Sequence, residues 1–238
     1  WKAIAVLSSR AMKTDKGATV VLATCVLPLP FPWMVRAGLG RRRVSATAYV
    51  KGQLEATVEC VYAKKVIGTE KTQPTGPLAR EAVIELLLRG SLFRKALVQA
   101  RINFRRWSLA TELQRRGMEN FDIAPLDIDS FENWIREKIE SIGLESGEDI
   151  DLLSPADFAL SPLDEWTLAI LDKTYPDTVS AGEATFLVHY ELHRKTVRLE
   201  KTIGQRKELP SLQYLPRFKG FAIEVEDRGK VRRLRERR

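Results

Sequence analysis

Arg105-Arg106-Trp107 joins two guanidinium groups to an indole, a combination suited to phosphate contact and base stacking. Two further basic clusters accompany it, Arg41-Arg42-Arg43 and Lys64-Lys65. Each cationic head group can hold a phosphate oxygen through a charge-assisted hydrogen bond. Arg41, Arg42, Arg43, Lys64, Lys65, Arg105 and Arg106 are therefore the candidate nucleic-acid-binding residues. Trp107 also extends the apolar stripe of its segment, which assigns it to a core. For each basic cluster the competing reading is a solvated face without a ligand.

Other chemistries lack a complete residue set. A phosphate-cradling loop needs closely spaced glycines ahead of a lysine and a hydroxyl, so that backbone N–H groups converge on the phosphates. No such run is present, and Gly38 and Gly40 lead only into three arginines. His189, Glu191 and His193 alternate along one segment. An extended chain would hold the two imidazoles roughly 13 Å apart, too far to share a zinc ion. The stretch from Asp127 to Glu132 begins like a calcium loop but lacks the third ligand and the turn glycine. Nucleophilic catalysis needs a base beside a serine or cysteine. The only two histidines share one segment, and neither Cys25 nor Cys60 has an electropositive neighbour. The dense carboxylates of residues 119–165 read as a solvated or partner-facing surface. The expectation is a chain with no metal site, no cofactor and no catalytic residue of its own.

The 238 residues carry a net charge of +8, unevenly spread. Residues 1–118 hold 21 Lys and Arg against 7 Asp and Glu, residues 119–165 hold 2 against 14, and residues 166–238 hold 16 against 10. Basic surface attracts phosphates and acidic surface repels them. The stretches therefore meet different partners, or else neutralise one another within one fold. At 44% hydrophobic and 29% charged, the composition is globular. The longest apolar run, residues 20–35, is broken by Pro28, Pro30 and Pro32 and does not suit a membrane span. Trp1 opens the chain, Met12 is the first methionine, and no signal-peptide pattern is seen. The expectation is a piece of a longer, cytoplasmic protein. Cys25 and Cys60 lie among apolar neighbours, which predicts buried thiols in a reducing compartment, with a disulfide between them as the alternative.

Elements of both kinds must position these residues. Residues 18–27 form a β-branched and aliphatic run, and the prolines after it force an extended exit. Over residues 44–62, Ala48, Val50, Leu54, Ala56, Val58 and Cys60 share one parity, predicting strands about a hairpin turn at Lys51-Gly52-Gln53. Several such strands close naturally into a barrel or half-barrel. Residues 68–77 read as a turn-rich linker. Pro77 then opens a helix whose stripe of Leu78, Ala82, Val83, Leu86 and Leu87 stops at Gly90. Ser91 caps the next, with Phe93, Leu97, Ala100, Phe104 and Trp107 inward and Gly117 at its end. A third starts at a capping box of Asp129 and Glu132 and turns Phe131, Trp134, Ile135, Ile139 and Ile142 inward before Gly143. A fourth follows Ser161-Pro162-Leu163-Asp164, with Trp166, Ile170 and Leu171 inward, and stops at Tyr175-Pro176. Strands return at residues 184–191, 196–201 and 221–226, and the arginine-rich residues 228–238 are expected to be mobile. The predicted class is α+β: a β-rich, partly barrel-like part (residues 1–76), a helical middle (77–160), and a helix with a small antiparallel sheet and basic tail (161–238).

Most of the chain resembles the C-terminal region of bacterial DEAH-box ATP-dependent RNA helicases of the HrpB type. The run from Thr47 to Ala56, Val61-Tyr62 and Val66-Ile67-Gly68 look like that family's strand passage. Gly76-Pro77 to Gly90 and the basic helix after it match its two-helix passage, and Leu126-Asp127-Ile128 to Ile135 resembles the opening of its next helices. Leu163 to Leu171, Tyr175-Pro176 and Thr178-Val179-Ser180-Ala181-Gly182 look like a further passage leading into a strand that ends at Tyr190. Leu215-Pro216-Arg217-Phe218-Lys219-Gly220-Phe221 and the arginine tail depart from the family's ending, so residues 204–238 are expected to differ in fold and contact. The resemblance implies motor domains that bind ATP and magnesium upstream in a parent hydrolase. For this chain it implies an auxiliary role, shaping the exit channel for single-stranded RNA or docking a partner. It carries no catalytic residue onto these positions. The alternative is a protein-interaction module whose acidic 119–165 surface binds a basic partner. An enzyme would need a concave pocket with convergent polar groups.

Overall fold

The computed structural model describes residues 3–204, 210–216, 218, 220–227 and 230–234. The chain forms two units, residues 1–97 with 132–158 and residues 98–131 with 159–238.

The first unit begins with an antiparallel ribbon of β1 (Ile4–Lys13) and β2 (Thr19–Pro28), whose register shifts around Ser8. Pro30 and Pro32 admit only a short helix, α1 (Phe31–Arg36), which buries Met34. β3 (Arg41–Val50), β4 (Gln53–Tyr62) and β5 (Lys65–Thr72) follow as a meander in sequence order. The hairpin expected at Lys51-Gly52-Gln53 is there but shorter: Lys51 and Gly52 alone turn it, with φ of 53 and 79, and Gln53 already belongs to β4. Val50 pairs with Gln53, so odd residues of β3 face even residues of β4 from the turn as far as Ala46, and a register shift between Ala46 and Val44 then sets even opposite even, Val44 with Val58 and Arg42 with Cys60. Leu54, Ala56 and Val58 are buried as expected, but the residue opposite Ala56 is the buried Thr47. Ala48 and Val50 fall on the other side, because a two-residue turn reverses parity.

β5 occupies half of the stretch that reads as a linker. Hydrogen bonding to β4 and burial of Ile67 outweigh its glycine, lysines and glutamate. Both sheets of this unit are open, and neither closes into a barrel. α2 (Pro77–Leu88) has proline at its first turn and stops at Gly90, which has φ 74. Ala79, Ala82, Val83, Ile84, Leu86 and Leu87 are all buried, and the helix packs on β3 and β4. α4 (Phe131–Ile142) buries Trp134, Ile135 and Ile139, while Ile142 is exposed. Two 3-10 turns follow, the second ending at the fully buried Phe158, which stacks on Phe93 at 5.7 Å.

The break between units falls within α3 (Arg94–Arg115). In the second unit, α5 (Glu165–Thr174) opens on Asp164, whose carboxylate accepts the Thr167 N–H at 2.9 Å. Leu163, Thr167 and Leu171 form the buried face at a spacing of four, which leaves Trp166 61% exposed instead of inward. β6 (Thr178–Ala181), β7 (Ala184–Glu191), β8 (Thr196–Ile203), β9 (Ala222–Asp227) and β10 (Lys230–Arg233) form one sheet in the order β10-β9-β8-β7-β6. β8 and β9 pair in parallel and the other neighbours antiparallel. A parallel pair needs a long crossover, and the stretch between Ile203 and Ala222 supplies it. β10 takes up part of the tail expected to be mobile; residues 228, 229 and 235–238 lie outside the described residues. Val179, Phe186, Val188, Val197, Leu199 and Val225 form the core of the sheet. A second cluster joins Leu113 of α3 to Phe121, Leu171 and Tyr175, and Tyr190 and Phe221 pack against both.

No helix among the described residues is long and apolar enough to cross a membrane. Both cysteines are free. Cys25 is exposed, against the expectation of a buried thiol, because both faces of its ribbon are open. Cys60 is half-buried, with Sγ 3.2 Å from the Leu39 carbonyl.

Candidate nucleic-acid interface

Strand register decides which of the basic residues meet. Arg41 pairs with Val61, and Tyr62 pairs with Lys65. The start of β3, the end of β4 and the start of β5 therefore lie side by side at one end of the meander. This gathers Arg41, Arg42, Arg43, Lys64 and Lys65, all of them exposed. Their charges are not equally available. Arg42 is ion-paired with Glu70, and Arg43 with Glu59 directly across the strands at 2.8 Å. Arg41, Lys64 and Lys65 have no ion pair among the described residues. Exposed ion pairs contribute at most about 1 kcal/mol, so Arg42 and Arg43 can exchange carboxylate for phosphate, at a cost the other three do not bear.

Ala63 and Lys64 turn β4 into β5 with φ of 47 and 65. A two-residue turn of this hand ordinarily uses glycine or asparagine, and each side chain there costs on the order of 1 kcal/mol. α1 approaches the same end of the sheet at Gly68, where a Cβ would stand 2.9 Å from Val35 Cγ2. Two aromatic side chains near this end are open to solvent, Tyr62 at 46% and Trp33 of α1 at 62%. Sequence reasoning did not single them out. Tyr62 continues the parity of the buried Leu54, Ala56 and Val58, which disguises it as core; its signal is the Lys64-Lys65 pair just beyond.

Arg105 and Arg106 lie in the other unit, on α3. Arg106 donates from Nε to Asp177 Oδ2 at 3.1 Å and from Nη2 to Asp172 Oδ1 at 2.9 Å, with its side chain 25% exposed. Arg105 Nη2 donates to the Val188 carbonyl at 3.3 Å. Trp107 donates its indole N–H to the Ser161 carbonyl at 2.9 Å and packs against the second core cluster, but it is only partly buried where the sequence predicts a core residue. Together these bonds fasten α3 to α5 and β7.

Arg105 also lines a cavity of about 430 Å³ that it shares with Glu112, Asp129, Asp177, His189 and His193. A 3-10 turn, Leu192–Arg194, follows β7, so His189 lines the cavity from the strand and His193 from the turn. His189 is held by Glu200 at 2.8 Å, while Glu112 and Asp177 are engaged by Arg116 and Arg106. No metal-ligating group of three or more His, Cys, Asp or Glu exists among the described residues. Burial and a hydrogen bond to Glu119 push the Tyr175 phenol up to about 12, and burial raises Tyr190 as well, so neither phenol exchanges protons near neutrality.

The acidic stretch spends much of its charge internally. Asp127 pairs with Arg115, Glu132 with Arg136 at 3.1 Å, and Glu145 with Arg80 at 2.9 Å. Asp151 accepts the Tyr49 hydroxyl at 2.9 Å. Asp149 is held below the usual carboxylate range by the backbone N–H groups of Glu145 and Ser146, and Asp157 by the backbone N–H and hydroxyl of Ser154.

The sequence matches no protein-family model and no curated protein. The structure is similar to the crystal structure of the E. coli DExH-box NTPase HrpB, at 13% sequence identity and a TM-score of 0.31, over 84% of this chain. The match spans 25% of that chain, about a quarter of its length.

Proposed function

We propose that this chain is an accessory, RNA-contacting region of an ATP-dependent helicase. It carries no reaction of its own, and ATP hydrolysis belongs to motor domains elsewhere in the parent. The observation that supports RNA contact is the meeting of Arg41, Lys64 and Lys65 at one sheet end with no ion pair to a carboxylate among the described residues. Cations in that state release counterions from a phosphate backbone on binding, the dominant sequence-independent term in nucleic-acid affinity. The helicase assignment is supported by the sequence passages from Thr47 to Gly68 and from Leu163 to Tyr190. Docking of a basic protein on residues 119–165 is the weaker reading, because so many of those carboxylates already hold internal partners. Titrating salt against single-stranded RNA affinity tests the proposal: a linear fall of log affinity with log salt is expected, and a flat dependence would overturn it.

A further inference from the structure

We infer that Tyr62 is a base-stacking residue, so that the end of the β3-β4-β5 sheet takes an unpaired base of single-stranded RNA. The inference rests on the RNA-contacting reading above and adds a residue and a strand preference to it. Tyr62 is 46% exposed, and its side chain makes no hydrogen bond, ring contact or ion pair among the described residues. Its position makes that exposure unusual. Leu54, Ala56 and Val58 are buried at the same parity and Cys60 is half-buried, so the ring emerges at the point where the core side of the strand runs out.

Cations flank the ring on that side. Lys65 stands directly opposite Tyr62 on β5, and Arg42, which would have to exchange its exposed ion pair with Glu70 for a phosphate, stands opposite Cys60, one step of equal parity inward on β4. Directly opposed residues lie on one face of a sheet, so an ammonium and a guanidinium share the face of the phenol. The Ala63-Lys64 turn has two residues and no slack, which holds Tyr62 and Lys65 in register. A flat ring between two cations suits one nucleotide step, with the base on the ring and phosphates on the charges. Duplex RNA hides its base faces in its own stack, and only the charges would engage it.

The test uses the full 238-residue chain with Tyr62→Ala, Tyr62→Phe and the double variant Lys64→Asn, Lys65→Gln. Fluorescence anisotropy reads binding of oligo(U) RNA and of a blunt RNA duplex of equal length. Tyr62→Ala is expected to weaken single-strand binding between about five- and a hundredfold, with the salt slope and duplex binding unchanged. Tyr62→Phe keeps the ring and should stay within about twofold of the parent. If Tyr62→Ala leaves single-strand affinity unchanged while the lysine variant weakens it, stacking is overturned and the RNA reading stands. Equal weakening toward both RNAs overturns stacking as well. Absence of salt-dependent binding to either RNA overturns the RNA reading, and stacking falls with it.

Discussion

Removing Lys64 and Lys65 together should halve or better the salt sensitivity of RNA binding while leaving the fold intact. On a single strand each phosphate neutralised contributes about −0.7 to the slope of log affinity against log salt. Arg41, Lys64 and Lys65, the three cations of the sheet end without a carboxylate partner, predict a slope near −2, or roughly a twentyfold loss between about 50 and 200 mM salt. Lys64→Asn with Lys65→Gln leaves Arg41 alone, a slope near −0.7 and a loss of about two- to threefold. Asparagine suits the Lys64 position because its φ of 65 lies in the left-handed region that asparagine tolerates. Arg106→Gln serves as the contrast. It removes one positive charge, against two in the lysine variant, from a side chain already held by Asp172 and Asp177, and the slope should not move. Anisotropy titrations of a labelled oligo(U) of about 12 nucleotides at several salt concentrations give both slopes. A double variant with the parental slope, or an Arg106→Gln slope that falls as far, refutes the reasoning from ion-pair availability.

Arg106→Gln should nonetheless lower stability by about 1–2 kcal/mol in urea denaturation, because it strips a charged partner from Asp177, whose side chain is 26% exposed. Phe158→Ala deletes a fully buried ring and its stacking with Phe93, and should cost about 3–5 kcal/mol by the same measurement. Asp149 and Asp157 have folded-state values below their ordinary 3.8, so their contribution is complete above that pH and is lost as pH falls through the folded values. Thermal melts from neutrality down to about pH 3 should be flat and then decline. Asp149→Asn with Asp157→Asn should flatten the decline; a decline of equal size would count against these two carboxylates as its source.

What the sequence discloses about this chain follows the range of the interaction concerned. The Lys51-Gly52 hairpin, the helix stops at Gly90, Gly117 and Gly143 and the parity of Leu54, Ala56 and Val58 are local, and each is legible from its neighbours. β5, β6 and β10 are too short or too polar to declare themselves and exist because a neighbouring strand satisfies their backbone. The parallel pairing of β8 with β9 depends on a crossover that no local pattern encodes. His189 and His193 line one cavity, and His193 does so from a 3-10 turn, Leu192–Arg194, that the alternation of the segment does not announce.

Charge obeys the same rule with greater consequence for function. Seven basic residues look alike in a sequence, since counting cations ignores what faces them. Folding sorts them: Arg106 is spent on two carboxylates, Arg42 and Arg43 on one each, and Arg105 is turned to a backbone carbonyl. The acidic stretch is sorted in the same way, with Asp127 and Glu145 drawn back onto Arg115 and Arg80. A composition of opposing blocks thus becomes, after folding, a mixture of charges that hold internal partners and charges that do not. The register of β4 and β5 sets two of the unpaired ones, Lys64 and Lys65, beside a tyrosine that it leaves uncovered, and the register of β3 adds Arg41 at the same sheet end, opposite Val61. The quantity that bears on RNA binding is therefore the charge left over after internal pairing, and strand register, rather than the abundance of arginine, determines where it lies.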